Sequence, residues 1–125
     1  MKPMNRFISI ITLCVLTTSC YYDTYIPIDD DVVVEDVSYE NDIKPLWNND
    51  CVSCHNGTVP PDMRDEVSYD ELLDGYIVPG DAEMSILYQS LLGSNGISLM
   101  PPGAPWPASR INLVRDWINQ GALDN

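Results

Sequence analysis

Apolar residues fall in four clusters along the main body of this chain, with one further run at its start. Ile43, Leu46 and Trp47 stand at i, i+3 and i+4, the spacing of one helical face. Pro45 suits the first turn of such a helix, which Asn41 or Asp42 would cap and which would run into Cys51. A short turn around Tyr69 to Leu73 stops at Gly75. Asp81 or Ser85 can start a third helix, with Ile86, Leu87 and Leu91 inside and Gly93 at its end. The last segment reads most clearly. Ser109 is a good N-cap, Ile111, Val114 and Ile118 recur at helical spacing beside Leu113 and Trp117, and Gly121 sits where a stop belongs. Between the third and fourth helices the pattern breaks into a Pro-rich loop, Ser98 to Pro107. Ten prolines predict short elements joined by irregular wraps. The pattern therefore predicts an all-α domain of about four short helices over residues 38–125.

The run at the start has another character. Lys2 and Arg6 precede an apolar stretch from Phe7 to Leu16, shorter than the roughly 20 residues a bilayer-spanning helix needs. Small polar residues, Thr17, Thr18 and Ser19, then lead to Cys20, and no acid occurs before Asp23. This resembles a bacterial lipoprotein signal, although Leu16 lies one position further from the cysteine than the usual lipobox has it. The resemblance implies a signal peptide over residues 1–19 and lipidation of Cys20. An ordinary cleaved signal and an uncleaved anchor are the alternatives, and each takes the chain out of the cytoplasm. Residues 20–37 would form a lipid-anchored acidic tether. Residues 21–37 hold six acids and no cation, and self-repulsion favours an open chain reaching at most ~56–61 Å. A short strand at Val32 to Val34 is the competing reading. The chain is thus expected on a bacterial membrane, on its periplasmic or cell-surface side.

Charge narrows the partners. The 125 residues carry 19 Asp and Glu against 6 Lys and Arg, a formal −13. Removing residues 1–19 takes away Lys2 and Arg6 and no acid, leaving −15 on the mature chain. A nucleic-acid binder relying on a basic patch is excluded, and the balance argues against electrostatic docking on anionic lipid. No pair of carboxylates suggests acid–base catalysis, and a solvated acidic face is the default.

Processing also simplifies the cysteines. Cys14 leaves with the signal and Cys20 takes the lipid, so Cys51 and Cys54 remain. Cys51-Val52-Ser53-Cys54-His55 is C-x-x-C-H, the covalent haem attachment sequence. Two cysteines three apart on a helical turn can form thioethers to two vinyl groups on one porphyrin edge, and the next histidine presents its imidazole to the iron. A thioredoxin-like pair would need a βαβ context, a zinc site prefers four Cys or His ligands, and His55 is the single histidine. A Cys51–Cys54 disulfide is sterically awkward. With bis-His ligation excluded within the chain, a methionine is the expected second axial ligand. Met63 follows His55 too closely to wrap the porphyrin edge, and Met84 suits a core role beside the third helix. Met100 lies in a loop stiffened by Pro101 and Pro102, 45 residues past His55, long enough to encircle a haem.

These residues resemble a small class I c-type cytochrome, close to the bacterial single-haem modules called planctomycete-type cytochrome c. The matching segments are Tyr39 to Pro45, Cys51 to His55, Val78 to Asp81 with Ser85 to Tyr88, Met100 to Pro102, and Trp117 to Ala122. The resemblance covers residues 38–125. It implies an all-helical fold whose first and last helices cross, with one haem c filling the core. Cys51 and Cys54 would be the thioether links, His55 the proximal ligand and Met100 the distal one. A ring of lysines, as in mitochondrial-like carriers, is missing, since Lys44 is the one lysine left after processing.

The function expected is that of a membrane-tethered single-haem electron carrier, not an enzyme, meeting redox partners that present basic docking surfaces. A haem protein whose labile Met100 bond opens for catalysis or small-ligand sensing is the alternative. Trp47, Trp106 and Trp117 read as core or haem-wall packing, with a propionate hydrogen bond as a second role for Trp106. Arg64 and Arg110 read as solvated positions or propionate partners. The carbonyl of Pro60 or Pro61 is a candidate to orient His55.

Overall fold

A computed structural model describes residues 36–125; the signal segment, Cys20 and the tether to residue 35 lie outside the described residues. Among the described residues there are four α-helices and no strand: α1 (Lys44–Asp50), α2 (Ser68–Leu73), α3 (Ile86–Leu92) and α4 (Ala108–Asn119). A wider π turn over Tyr39–Ile43 leads into α1. No helix among them is long and apolar enough to cross a membrane.

The helix ends show where local chemistry differs from simple propensity. Ser38, upstream of Asn41 and Asp42, supplies the first cap. Its hydroxyl accepts from the Asn41 N–H at 3.2 Å, while the Asp42 carboxylate accepts from the Ser38 N–H at 2.9 Å. The pairing is reciprocal, as in a capping box. Ser109 falls inside α4 because the Pro107 carbonyl takes the leading N–H groups of Arg110 and Ile111, at 3.0 and 3.3 Å. Gly93 ends α3 in the left-handed region at φ 61°. A Cβ there would stand 3.1 Å from Leu99 Cβ, so glycine permits both the turn and the return of the chain before Met100.

The filled part of the core lies where α4 packs on the π turn and on α3. Tyr39 stacks on Trp117 at 5.2 Å and meets Tyr69 edge-on at 5.1 Å, with Ile43, Val114 and Ile118 buried alongside. Every polar handle in this aromatic group is satisfied. The Tyr39 and Ser68 hydroxyls are 2.7 Å apart, Tyr69 donates to the Ala122 carbonyl at 2.9 Å, and Trp117 Nε1 donates to the Leu123 carbonyl at 3.0 Å. Val37, at the end of the segment read as tether, is buried too, and its N–H donates to Gln120 Oε1 at 2.8 Å.

Two expected core residues are elsewhere. Met84 is 66% exposed, and Ile86 is 41% exposed. The turn before α3 turns Ser85 inward instead. The Ser85 hydroxyl donates to the Asp81 carbonyl at 2.8 Å and accepts from the Val78 N–H at 2.9 Å, while Asp81 accepts from the Met84 N–H at 3.1 Å. These bonds hold the turn in a form that leaves Met84 facing solvent.

Candidate functional site

After α1 the chain makes one more helical turn. The Cys51 N–H donates to the Trp47 carbonyl at 2.8 Å; those of Cys54 and His55 donate to the Cys51 carbonyl at 3.1 and 2.9 Å. This turn sets the two thiols three residues apart at the floor of a cavity of about 590 Å³. That volume lies within the ~300–1,000 Å³ range of small-molecule and cofactor sites. Cys51, Cys54 and His55 line one side. The lining also includes Leu87, Ser90 and Leu91 of α3 and Met100, Pro101 and Pro102 of the loop that follows it. Met100 is pinned to α3 by its N–H, which donates to the Ser90 carbonyl at 2.8 Å. The four residues expected to hold a cofactor therefore meet around one space.

The imidazole is oriented. His55 Nδ1 lies 3.1 Å from the Pro61 carbonyl and 3.2 Å from that of Val59. Carbonyls only accept, so Nδ1 carries the proton and Nε2 keeps its lone pair for a metal. Of the two proline candidates, Pro61 makes this contact, and Val59 joins it. The Met63 N–H donates to the His55 carbonyl at 2.8 Å and closes the loop.

The Cys51 thiol is not poised for thiolate chemistry. Burial pushes the Cys51 thiol up to about 12, with the Asp50 carboxylate and Cys54 adding to the shift. With no metal beside it, such a group stays protonated at neutral pH. Among the described residues no three His, Cys, Asp or Glu side chains stand grouped as a metal ion would need. One imidazole and one thioether lining the same cavity form a different donor set, of the kind that can hold a haem iron.

Two tryptophans wall the site. Trp47 lines the cavity, and Trp106 stacks behind it at 6.1 Å with 12° between the ring planes. Both indole N–H groups are buried and have no hydrogen-bond partner. A buried donor left in that state costs about 1–3 kcal/mol; the Trp47 indole does lie near enough to the Tyr39 hydroxyl to work against the rise that burial gives that phenol's pKa. Arg110 pairs with Asp50 at 2.6 Å and lies over the Trp106 ring, while Arg64 pairs with Asp62. Trp117 stands apart, in the filled core. Met63 was not anticipated in the wall. It is 2% exposed and lines the cavity. No family model matches the chain, nor does any curated protein or solved structure.

Proposed function

We propose that this chain is a single-haem c-type cytochrome of the class I kind, exported, held at a membrane by lipid on Cys20, and passing single electrons between redox partners. The observation that carries the reading is the single cavity lined by Cys51, Cys54, His55 and Met100. Haem c, when bound, supplies the one-electron iron chemistry. The chain's own residues supply the rest. Cys51 and Cys54 hold the group by thioethers, His55 offers Nε2 with its ring fixed by Pro61 and Val59, and Met100 offers its sulfur from a loop tied to Ser90. The apolar wall excludes water, and a His/Met pair favours the reduced state.

Partners follow from charge. Residues 36–125 carry fourteen acids and four cations. Each cation is in an ion pair: Lys44 with Glu40, Arg64 with Asp62, Arg110 with Asp50, and Arg115 with Asp116. The uncompensated carboxylates suit redox proteins with basic docking faces, whose encounter rate falls as salt rises.

The test is covalent attachment. Haem should remain with the polypeptide through acid–organic extraction, and the mass should include it. Freely extracted haem, or a mature mass without it, overturns the reading. Cys20→Ser should move the coloured protein from the membrane to the soluble exported fraction; continued retention would point to an uncleaved N-terminal anchor.

A further inference from the structure

Beside the cavity lies a second hollow, of about 470 Å³, open to the surface and lined by Asn49, Pro105, Trp106, Pro107 and Arg110 among others. Asp50 and Pro101 border both spaces. The one aromatic connection between them is the Trp106–Trp47 stack, with near-parallel rings 6.1 Å apart. Trp106 lines the hollow and Trp47 lines the cavity. We propose that this pair forms a second electron port, a route by which a partner seated in the hollow exchanges one electron with the haem without using the cavity mouth. The proposal rests on the haem reading above.

The step balances simply. The partner loses one electron, ferric iron gains it, and no bond or proton moves. The indoles act as a bridge and not as a resting place for charge. Arg110 sits 5.6 Å from the Trp106 ring centre, and a cation against the ring face makes removal of an electron from that indole costlier. The lining also says what docks. The Asp50–Arg110 pair cancels its own charge, and the other walls are proline rings, an indole and small polar groups. On a strongly acidic surface this is a neutral place. It fits a one-electron redox protein that presents an apolar, uncharged tip, whereas a basic partner is drawn to the carboxylates elsewhere.

The experiment uses the haem-loaded full chain with Cys14→Ser and Cys20→Ser, carrying a thiol-linked photoreductant at one of two sites. Ala104→Cys places it in the hollow; Ser98→Cys places it at the cavity wall. After a flash, haem reduction is followed by absorbance. From position 104, Trp106→Leu should slow reduction several-fold, and Trp106→Phe, which keeps an aromatic bridge, should restore most of the rate. From position 98, neither change should matter, and the reduction potential should stay constant. If Trp106→Leu does not load haem, Trp106→Met against Trp106→Phe makes the same comparison in a fuller core. An unchanged rate from position 104, or equal slowing from both positions, overturns the port. A parent chain with no covalent haem overturns the underlying reading instead.

Discussion

The two ends of this domain are built on opposite plans. Around Tyr39, Tyr69 and Trp117 the rings touch one another, each hydroxyl and indole N–H has a partner, and the space is filled by protein. Around Trp47 and Trp106 the rings also stack, but both N–H groups lack partners, and the wall encloses about 590 Å³. One end is finished by its own sequence. The other leaves a cavity, which haem would fill on the reading proposed above, and the difference predicts how each end answers to mutation.

The largest effect should come from preventing attachment. With nothing to fill it, the largely apolar wall of this half-open cavity is left against water, and that end of the domain lacks the burial that would hold it together. Cys51→Ala with Cys54→Ala should therefore give a chain without covalent haem that loses fixed tertiary structure, seen as lost near-UV circular dichroism and rapid proteolysis. A well-ordered, protease-resistant double variant would show that the cavity end stands alone. Ile118→Ala, at the filled end, should cost about 2–5 kcal/mol in denaturant melts and leave the visible spectrum unchanged.

The three methionines divide the cavity end more finely. Met100→Ala should abolish the sulfur–iron band, lower the potential and let small added ligands bind. Met63→Ala should keep the band while costing about 2–5 kcal/mol, since that side chain is buried against the cavity. Met84→Ala should do neither, staying within about 0.5 kcal/mol because the side chain faces solvent. Loss of the band in Met63→Ala with retention in Met100→Ala would move the second ligand to the histidine side.

A modest, pH-dependent effect belongs to Tyr39. Burial raises its phenol pKa above the ordinary 10.0, and the Ser68 hydrogen bond works partly against that shift. The folded state thus favours the neutral phenol. Its contribution is intact below pH 10.0 and is lost as pH climbs through and above that value. Tyr39→Phe should cost about 0.5–1.5 kcal/mol at neutral pH through the Ser68 bond and should flatten the alkaline decline in stability.

The helical pattern was readable because its apolar positions recur at a fixed interval. Val114, Trp117 and Ile118 are buried as their spacing predicts. The motif residues were readable because Cys51, Cys54 and His55 lie on one turn, and proximity in sequence is then proximity in space. Met84 faces solvent because burial near a helix start depends on the turn that precedes it, and there Ser85 takes the inward position, while Ile86, 41% exposed, lines the cavity. Ser38 displaced Asn41 and Asp42 as the cap because the carboxylate of Asp42 is engaged in holding Ser38. Met63, Val59 and the unpartnered indoles needed three dimensions, since no interval in the sequence relates them to His55.

The ion pairing of all four cations among the described residues has a consequence for crowding. A surface with no spare cation has nothing to offer another copy of itself. Two such domains side by side repel over roughly 8–10 Å at physiological salt, so added salt brings copies together more often. The same salt slows the approach of a cationic protein. Neighbours on one membrane would therefore keep their distance in dilute medium, each a separate station, and the ionic strength of the surroundings would decide whether contact is made mainly with strangers or with kin.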